Sequence, residues 1–158
     1  MQKTKLRHTE AILKIIGKEK SDEKVIVFTN GCFDILHPGH IDYLTKAHEM
    51  GDLLIIGLNE DASIARLKGA DRPINNVGDR ITMLSALSCV DYIVTFEEDT
   101  PLKLITELKP DILVKGDDYK IEDIAGAAEV LQYGGKVNLV PLLQGYSTSR
   151  FINRIKEL

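Results

Sequence analysis

The sequence is short of cysteine: Cys32 and Cys89 are the only two among 158 residues. Two cysteines so far apart do not form a disulfide framework or a cysteine-based zinc site, and we expect each to be a small buried apolar residue. Apolar runs of about 18 residues are also absent, so no membrane-spanning helix is expected. The charged N-terminal segment lacks the apolar core of a secretion signal. We therefore expect a cytoplasmic protein.

An excess of positive charge is missing as well. The chain has 20 Lys and Arg residues against 24 Asp and Glu residues, a formal net charge of −4. Because duplex binding depends mainly on lysine and arginine, this balance argues against a nucleic-acid partner. Neither the Gly-x-x-x-x-Gly-Lys-Ser/Thr loop of P-loop kinases nor the Gly-x-Gly-x-x-Gly turn of dinucleotide dehydrogenases occurs. Any anionic substrate must be bound by a local cluster of positive groups.

Short apolar runs rich in β-branched residues are present, as in strands buried on both faces of a parallel sheet. They predict strands at 25–29, 53–58, 92–95, 112–114 and 137–140. Amphipathic patterns between and after them predict helices at 39–50, 61–68, 78–88, 101–108, 122–133 and 148–158. This alternation indicates an α/β fold: a doubly wound, Rossmann-like, parallel five-stranded sheet with helices on both faces.

An N-terminal segment, residues 1–23, precedes this domain, which we place at 24–158. Apolar residues between Thr9 and Lys20 predict a short amphipathic helix, with Thr9 as the candidate N-cap. The polar residues 18–24 then separate the helix from the domain. The helix packs either on the same chain or on a second copy, so a homo-oligomer is left open.

The segment that leaves the first strand, residues 29–40, reads Thr-Asn-Gly-Cys-Phe-Asp-Ile-Leu-His-Pro-Gly-His. Gly31 permits backbone angles closed to other residues, and Gly39 lets a ligand approach the main chain. His37 and His40 lie three positions apart across the predicted helix start, where free backbone N–H groups attract anions. Two such histidines also occur in zinc sites, but no third ligand lies close in sequence. We therefore predict a phosphate site here, with a plain helix cap as the alternative.

These residues are similar to the signature of the cytidylyltransferase-like nucleotidyltransferases, whose hallmark is His-x-Gly-His. Further similar segments are 59–63, 66–69, 72–73, 79–80, 96–101, 115–119 and 147–149. Together they resemble the D-glycero-β-D-manno-heptose-1-phosphate adenylyltransferases of that family, over about residues 24–156. In many bacteria that activity is the C-terminal domain of a bifunctional protein with a sugar kinase ahead of it, and we expect no kinase activity from this chain.

The resemblance implies a direct displacement, in which a sugar-phosphate oxygen attacks the α-phosphorus of ATP and pyrophosphate leaves. The partners would be ATP and a sugar 1-phosphate, and no covalent enzyme intermediate is expected. The cofactor would be Mg²⁺, held mainly by phosphate oxygens and water. Catalysis would then consist of positioning the reactants and stabilising charge on the phosphate oxygens.

The resemblance also implies roles for individual residues. The expected catalytic residues, in contact with the triphosphate, are His37, His40 and Lys68. Contacts with the second substrate are expected from Asp34, Asn59 and Arg72. Nucleotide or phosphate contacts are expected from Thr29, Asn30, Gly31, Phe33, Gly39, Arg80, Lys115, Gly116, Asp118, Ser147, Thr148 and Ser149.

Several of these residues have an ordinary structural alternative. A solvated surface charge is the alternative for Lys68 and Arg72. A plain helix cap is the alternative for residues 147–149, and a turn cap is the alternative for Asn30 and Asp34.

The nucleotide and its acceptor also have competing assignments. Asp117 stands where heptose enzymes often carry glycine or alanine, and residues 116–119, Gly-Asp-Asp-Tyr, are closer to glycerol-3-phosphate cytidylyltransferases. Lys115 and residues 66–69 favour the heptose enzymes. The main alternative function is therefore a cytidylyltransferase of glycerol 3-phosphate or a related alcohol phosphate, and the second is a non-catalytic nucleotide-binding module. Asp118 faces either the nucleotide or the metal.

Overall fold

The computed structural model describes residues 4–158. The strands are β1 (Ile26–Gly31), β2 (Leu53–Asn59), β3 (Tyr92–Phe96), β4 (Ile112–Gly116) and β5 (Lys136–Val140). The α-helices are α1 (Thr9–Ser21), α2 (Pro38–His48), α3 (Asp61–Lys68), α4 (Val77–Ser85), α5 (Leu102–Leu108), α6 (Ala127–Gln132) and α7 (Thr148–Lys156). A 3₁₀ turn covers Ile121–Asp123. Residues 1–3 of the predicted N-terminal segment lie outside the described residues.

The five strands form one parallel sheet in the order β3-β2-β1-β4-β5. The predicted doubly wound α/β fold is therefore confirmed. The chain builds β1, β2 and β3 outward in one direction and then crosses to the other side of β1 to add β4 and β5. Strand order thus reverses between β1 and β4, and ligands of such sheets bind outside the carboxyl ends of the strands at this point.

Two apolar layers cover the two faces of the sheet, because successive side chains of a strand point to opposite faces. Val27 packs with Leu44 of α2 and Leu84 of α4 in one layer. The next residue, Phe28, packs with Ile12 of α1 and with α5 and α6 in the other layer. Burying each such side chain stabilises the fold by about 1.5–3 kcal/mol. The paired layers hold the strand ends, and hence the site, in a fixed arrangement.

The N-terminal helix packs on its own chain. Ile12 and Ile16 of α1 are buried in the layer that contains Phe28. Ahead of the helix, Leu6 forms an isolated parallel bridge with Ile93 of β3. Of the two packing partners left open for this helix, the same chain or a second copy, the structure thus shows packing on the same chain. The domain boundary after residue 23 stays a prediction.

Two details of the helices differ from the predictions. His8, not Thr9, occupies the N-cap position of α1, and no side-chain hydrogen bond caps the helix. The helix predicted over 122–133 is divided into the 3₁₀ turn and α6. The division falls at Gly126, whose φ of +87° is not helical, and a Cβ there would lie 2.7 Å from Cδ1 of Ile105. The left-handed backbone at Gly126 therefore accounts for the break, and the close packing of α5 leaves no room for a side chain there.

Candidate functional site

A cavity of about 940 Å³ lies at the carboxyl ends of the strands, where strand order reverses. The predicted site residues that line it are Asn30, Gly31, Phe33, Asp34, His37, Gly39, His40, Asn59, Lys68, Arg72, Lys115, Gly116, Asp118, Ser147, Thr148 and Ser149. Thr29 and Arg80 are not among its lining residues. Segments far apart in sequence therefore meet in one cavity.

The two histidines lie at the start of α2. His37 is the N-cap residue, with extended backbone angles, and Pro38 fills the first helical position, where its missing N–H costs nothing. His40 follows in the first turn, and the two imidazole rings stack with centroids 3.7 Å apart at 20°. The helix start therefore presents both rings as one surface.

Burial lowers the pKa of both histidines. The pKa of His40 falls to about 4, because burial disfavours the charged ring and the nearby His37 and Lys68 repel it. Burial likewise lowers the pKa of His37. At neutral pH both rings are therefore neutral in the free protein, and each offers one N–H donor and one acceptor nitrogen. An anion beside them would favour the protonated form.

Two lysines lie on the cavity wall. Lys68 ends α3 and is exposed at the rim. Lys115 extends from the end of β4, and its Nζ donates a hydrogen bond to Oδ1 of Asn30 at 3.0 Å. The ammonium also lies 4.9 Å from the ring centroid of Tyr119, and burial lowers its pKa to about 8, partly offset by Asp118. Lys115 thus carries its charge at pH 7 and bridges the ends of β1 and β4.

Asp34 holds the loop before α4 against the cavity. Its Oδ1 accepts a hydrogen bond from the backbone N–H of Asn75 at 2.7 Å, and Oδ2 accepts one from that of Ile74 at 2.8 Å. Nε of Arg72 donates to the same Oδ2 at 2.8 Å. Burial alone would raise the pKa of Asp34, but these hydrogen bonds and the arginine charge lower it overall. The carboxylate therefore binds the loop rather than a turn of its own segment.

Arg80 does not line the cavity, and the phosphate contact expected from it stays a prediction. The side chain is fully buried. Nη1 donates to the carbonyls of Cys32 at 2.7 Å and Asn59 at 2.8 Å, and Nε donates to that of Asn75 at 3.1 Å. Nη2 pairs with Asp61 at 2.7 Å. The guanidinium is therefore occupied in joining the ends of β1 and β2 to the loop before α4.

Thr29 also lies away from the cavity wall. Its Oγ1 lies 2.7 Å from the hydroxyl of Tyr43, and both oxygens lie 3.0 Å from the carbonyl of Val114. Both side chains are buried, and burial raises the pKa of Tyr43. Thr29 thus takes part in a network that joins β1, α2 and β4, and the nucleotide contact expected from it stays a prediction.

The start of α7 also lines the cavity. Ser147 is the N-cap residue, and its Oγ accepts a hydrogen bond from the backbone N–H of Arg150 at 3.1 Å. Thr148 and Ser149 are the first two helical residues, and all three serine and threonine residues line the cavity. A helix start attracts anions through its N–H groups and dipole. The cap expected as the alternative thus exists, at a helix start that also faces the cavity.

A sequence model of the cytidylyltransferase-like family matches residues 28–154, which include most of β1, all of β4 and all the residues that line the cavity. The chain belongs to this family.

Named relatives and solved structures agree with this membership. The Bifunctional protein HldE of Syntrophotalea carbinolica is 53% identical over 152 residues, which are 96% of this chain and 31% of that protein. The chain thus spans about a third of the length of such curated relatives. The lipopolysaccharide core biosynthesis protein of Thermoplasma volcanium has a structure with TM-score 0.63 and 33% identity, covering 78% of this chain and 99% of that one. Pantoate-β-alanine ligase of Francisella tularensis, 16% identical, shares the fold with a TM-score of 0.64 over 99% of this chain and 79% of that one.

Several residues that line this cytidylyltransferase-like cavity were not predicted from the sequence as site residues. They are Cys32, Tyr43, Leu67, Asp99, Thr100, Pro101, Tyr119, Asp123, Ile124, Ala125, Leu142, Leu143 and Tyr146. Residues 99–101 and Tyr119 lie in segments that resemble the family, so a signal for them existed. Leu142, Leu143 and Tyr146 gave none, because the loop between β5 and α7 carries no motif before Ser147.

Carboxylates line the cavity, but the described residues form no cluster of metal ligands. Within residues 4–158, no group of three or more His, Cys, Asp or Glu side chains is placed to hold a metal ion. The same described part of the chain also has no helix long and apolar enough to cross a membrane.

Proposed function

We propose that the chain is an adenylyltransferase that transfers AMP from ATP to D-glycero-β-D-manno-heptose 1-phosphate and releases pyrophosphate. The observation that carries the proposal is the meeting of His37, His40, Lys68 and the start of α7 in one cavity at the switch point of the sheet. These groups suit a triphosphate, because each attracts or donates to phosphate oxygens. The other cations on the wall, Arg72 and Lys115, would then serve the sugar phosphate or the nucleotide.

The identity of the acceptor rests on resemblance. The motifs resemble the heptose-1-phosphate adenylyltransferases, whose activity in many bacteria is one domain of a bifunctional protein. Relatives at about 50% identity bear the name Bifunctional protein HldE, and the chain spans about a third of their length. The similar Thermoplasma volcanium structure is that of a lipopolysaccharide core biosynthesis protein. These names support a nucleotide-activated sugar as the product.

The proposed reaction needs no covalent intermediate. An oxygen of the sugar phosphate forms a bond to the α-phosphorus of ATP, while the bond from that phosphorus to the bridging oxygen of the β-phosphate breaks. The attacking phosphate oxygen is already ionised at neutral pH, so no side chain has to remove a proton. Negative charge grows on the α-phosphate oxygens and on the leaving pyrophosphate. Imidazole N–H groups and the ammonium of Lys68 would stabilise that charge.

The oxygen ligands that the cavity carboxylates and the nucleotide phosphates would supply fit a magnesium ion bound to the nucleotide. Mg²⁺ keeps several waters and binds phosphate oxygens together with one or two carboxylates, and nucleotidyltransferases of this kind generally use it with ATP. Asp118 is one of the exposed carboxylates that line the cavity, and we propose that it would contact the ion. The ion would neutralise part of the triphosphate charge.

A pyrophosphate-release assay tests the proposal. The purified protein is offered ATP or CTP, each with the heptose 1-phosphate or with glycerol 3-phosphate, in the presence of Mg²⁺. We expect turnover with ATP and the heptose phosphate. Turnover of CTP with glycerol 3-phosphate alone would establish the cytidylyltransferase alternative. Nucleotide binding without turnover of any pair would establish the binding module.

A further inference from the structure

Helix α7 has an aromatic contact that the proposed reaction does not yet use. None of its side chains is fully buried, and Ile155 on its last turn is exposed. Phe151, one turn after the helix start, is half-buried. Its ring lies nearly parallel to the imidazole of His37, with centroids 5.7 Å apart at 7°. This distance and angle are those of an offset aromatic stack.

The surroundings of His37 leave its ring little room. His40 stacks on it at 3.7 Å, and the ring of Tyr146 lies 6.2 Å away at 22°. The backbone is close as well, because a Cβ on Gly39 would lie 3.0 Å from Cε1 and Nδ1 of His37 and 3.1 Å from Cβ of Tyr146. Only 9% of His37 is exposed. The plane of the imidazole is therefore set by its neighbours, and Phe151 is the neighbour that α7 contributes.

The position of Phe151 links two parts of the cavity. Thr148 and Ser149 begin α7 at the cavity wall, and Phe151 follows within one helical turn. A shift of α7 would therefore move the helix start and the ring against His37 together. The His37 side chain would then lose part of its packing at the cavity wall.

We propose that Phe151 is a positioning residue that holds the His37 imidazole in the orientation needed for phosphate contact. The expected effect of Phe151 on the reaction rate rests on the proposed function. Its effect on the orientation of the His37 ring rests on the stack alone. Misplacing a reacting group by about 1 Å can cost on the order of 10²-fold in rate. The flat ring of Phe151 matters here, since an aliphatic side chain of similar volume does not fix the plane of an imidazole.

Three variants separate the stack from general packing of α7. Phe151→Leu keeps apolar volume and removes the ring, and we expect kcat to fall roughly 10- to 100-fold with a smaller change in KM for ATP. Phe151→Tyr keeps the ring and should restore most of kcat. Ile155→Ala, on the same helix but exposed, is the matched control and should leave kcat unchanged. An equal loss in Ile155→Ala, or none in Phe151→Leu, would overturn the proposal.

A double-mutant cycle identifies the route of the effect. If Phe151 acts through His37, Phe151→Leu should change the residual rate of the His37→Ala variant by less than about twofold, because interacting residues are not additive. A full additional loss in the His37→Ala background would place the effect at the start of α7 instead and would reject the positioning role.

An NMR measurement, which needs no turnover, tests the stack separately from the reaction. The Cε1–H resonance of His37 feels the ring current of Phe151 in the free protein. We expect Phe151→Leu to shift this resonance and Ile155→Ala to leave it in place. If the wild type turns over neither nucleotide, the proposed function fails while a shift in Phe151→Leu still establishes the stack. An unshifted resonance would show that the ring does not lie on His37 and would end the inference.

Discussion

Asp34 and Arg72 are 38 positions apart in sequence, yet Nε of the arginine donates to Oδ2 of the aspartate at 2.8 Å and Nη2 lies 2.7 Å from the same oxygen. The aspartate side chain is almost fully buried, and it also binds two backbone N–H groups of the loop that carries the arginine. One carboxylate thus holds this loop at the cavity. Its effect on stability should therefore depend on its ionisation.

The first prediction follows from the lowered pKa of Asp34. A carboxyl whose pKa is lower in the folded state stabilises the fold above its unfolded value, about 3.9, and loses that contribution as pH falls through the folded value. Asp34→Asn should lower the free energy of unfolding by about 1–3 kcal/mol at pH 7, and by less at pH 3. Chemical denaturation at both pH values measures the difference.

Asp42 offers the matched control for that experiment. It pairs with Lys46 one turn along α2, and both side chains are partly exposed. Such surface pairs contribute about 0–1 kcal/mol, so Asp42→Asn should change stability little at either pH. Equal effects of the two substitutions at pH 7 would show that Asp34 does not hold the loop.

The second prediction concerns Arg80. Arg80→Lys cannot reach the carbonyls of Cys32, Asn59 and Asn75 at once, and buried acceptors left without donors are costly. We expect a loss of about 2–5 kcal/mol in unfolding free energy. Arg66→Lys is the control, because Arg66 pairs with Asp99 at an exposed position. A normal stability of Arg80→Lys with a raised KM for ATP would instead support the phosphate contact that the sequence suggested.

The contrast between Arg80 and His37 shows how far the sequence alone leads. The strand runs are continuous and apolar because their strands are buried on both faces, so the parallel sheet could be predicted, and the histidines follow the first strand directly. Arg80 lies in a segment that resembles the family, but the sequence does not show what its side chain contacts. An arginine beside a ligand and an arginine that joins two strand ends to a loop look alike in sequence, since the carbonyls that distinguish them belong to residues 5 to 48 positions away.

The division of one predicted helix was also missed, because it depends on structure that the local sequence pattern does not show. Residues 122–133 have a helical pattern, but the helix is divided at Gly126, which has a left-handed backbone and lies close to Ile105 of α5. The cavity walls at Leu142, Leu143 and Tyr146 could not be predicted either. Their role comes from the position of a loop in space, which local pattern does not encode.

The third prediction tests whether α1 belongs to the core. Ile12 is fully buried against the sheet, whereas its neighbour Leu13 is 41% exposed. Ile12→Ala should lower the unfolding free energy by about 2–5 kcal/mol, because it leaves a cavity in the layer around Phe28. Leu13→Ala is the matched control and should change it by about 0.5 kcal/mol or less. Similar small effects from both would mean that the helix contributes little to the domain.

The last prediction concerns His37 and His40, whose rings we propose stabilise charge that grows during displacement. Alanine at either position should lower kcat on the order of 10²–10³-fold, with a smaller change in ATP affinity. His48→Ala is the control, because His48 ends the same helix and pairs with Asp91. Near-normal kcat in both site variants would contradict the mechanism.

The His40→Ala variant should also change how the free energy of unfolding depends on pH. The folded pKa of His40, about 4, lies below its ordinary value of 6.5. A histidine with a lowered pKa stabilises the fold fully above its unfolded value, and the contribution is lost as pH falls through 6.5 toward 4, because the unfolded chain binds the proton first. His40→Ala should therefore flatten the dependence of unfolding free energy on pH between 6.5 and 4, whatever it does to kcat. Denaturation curves at several pH values measure the slope, and an unchanged slope would show that the ring is not buried in its neutral form.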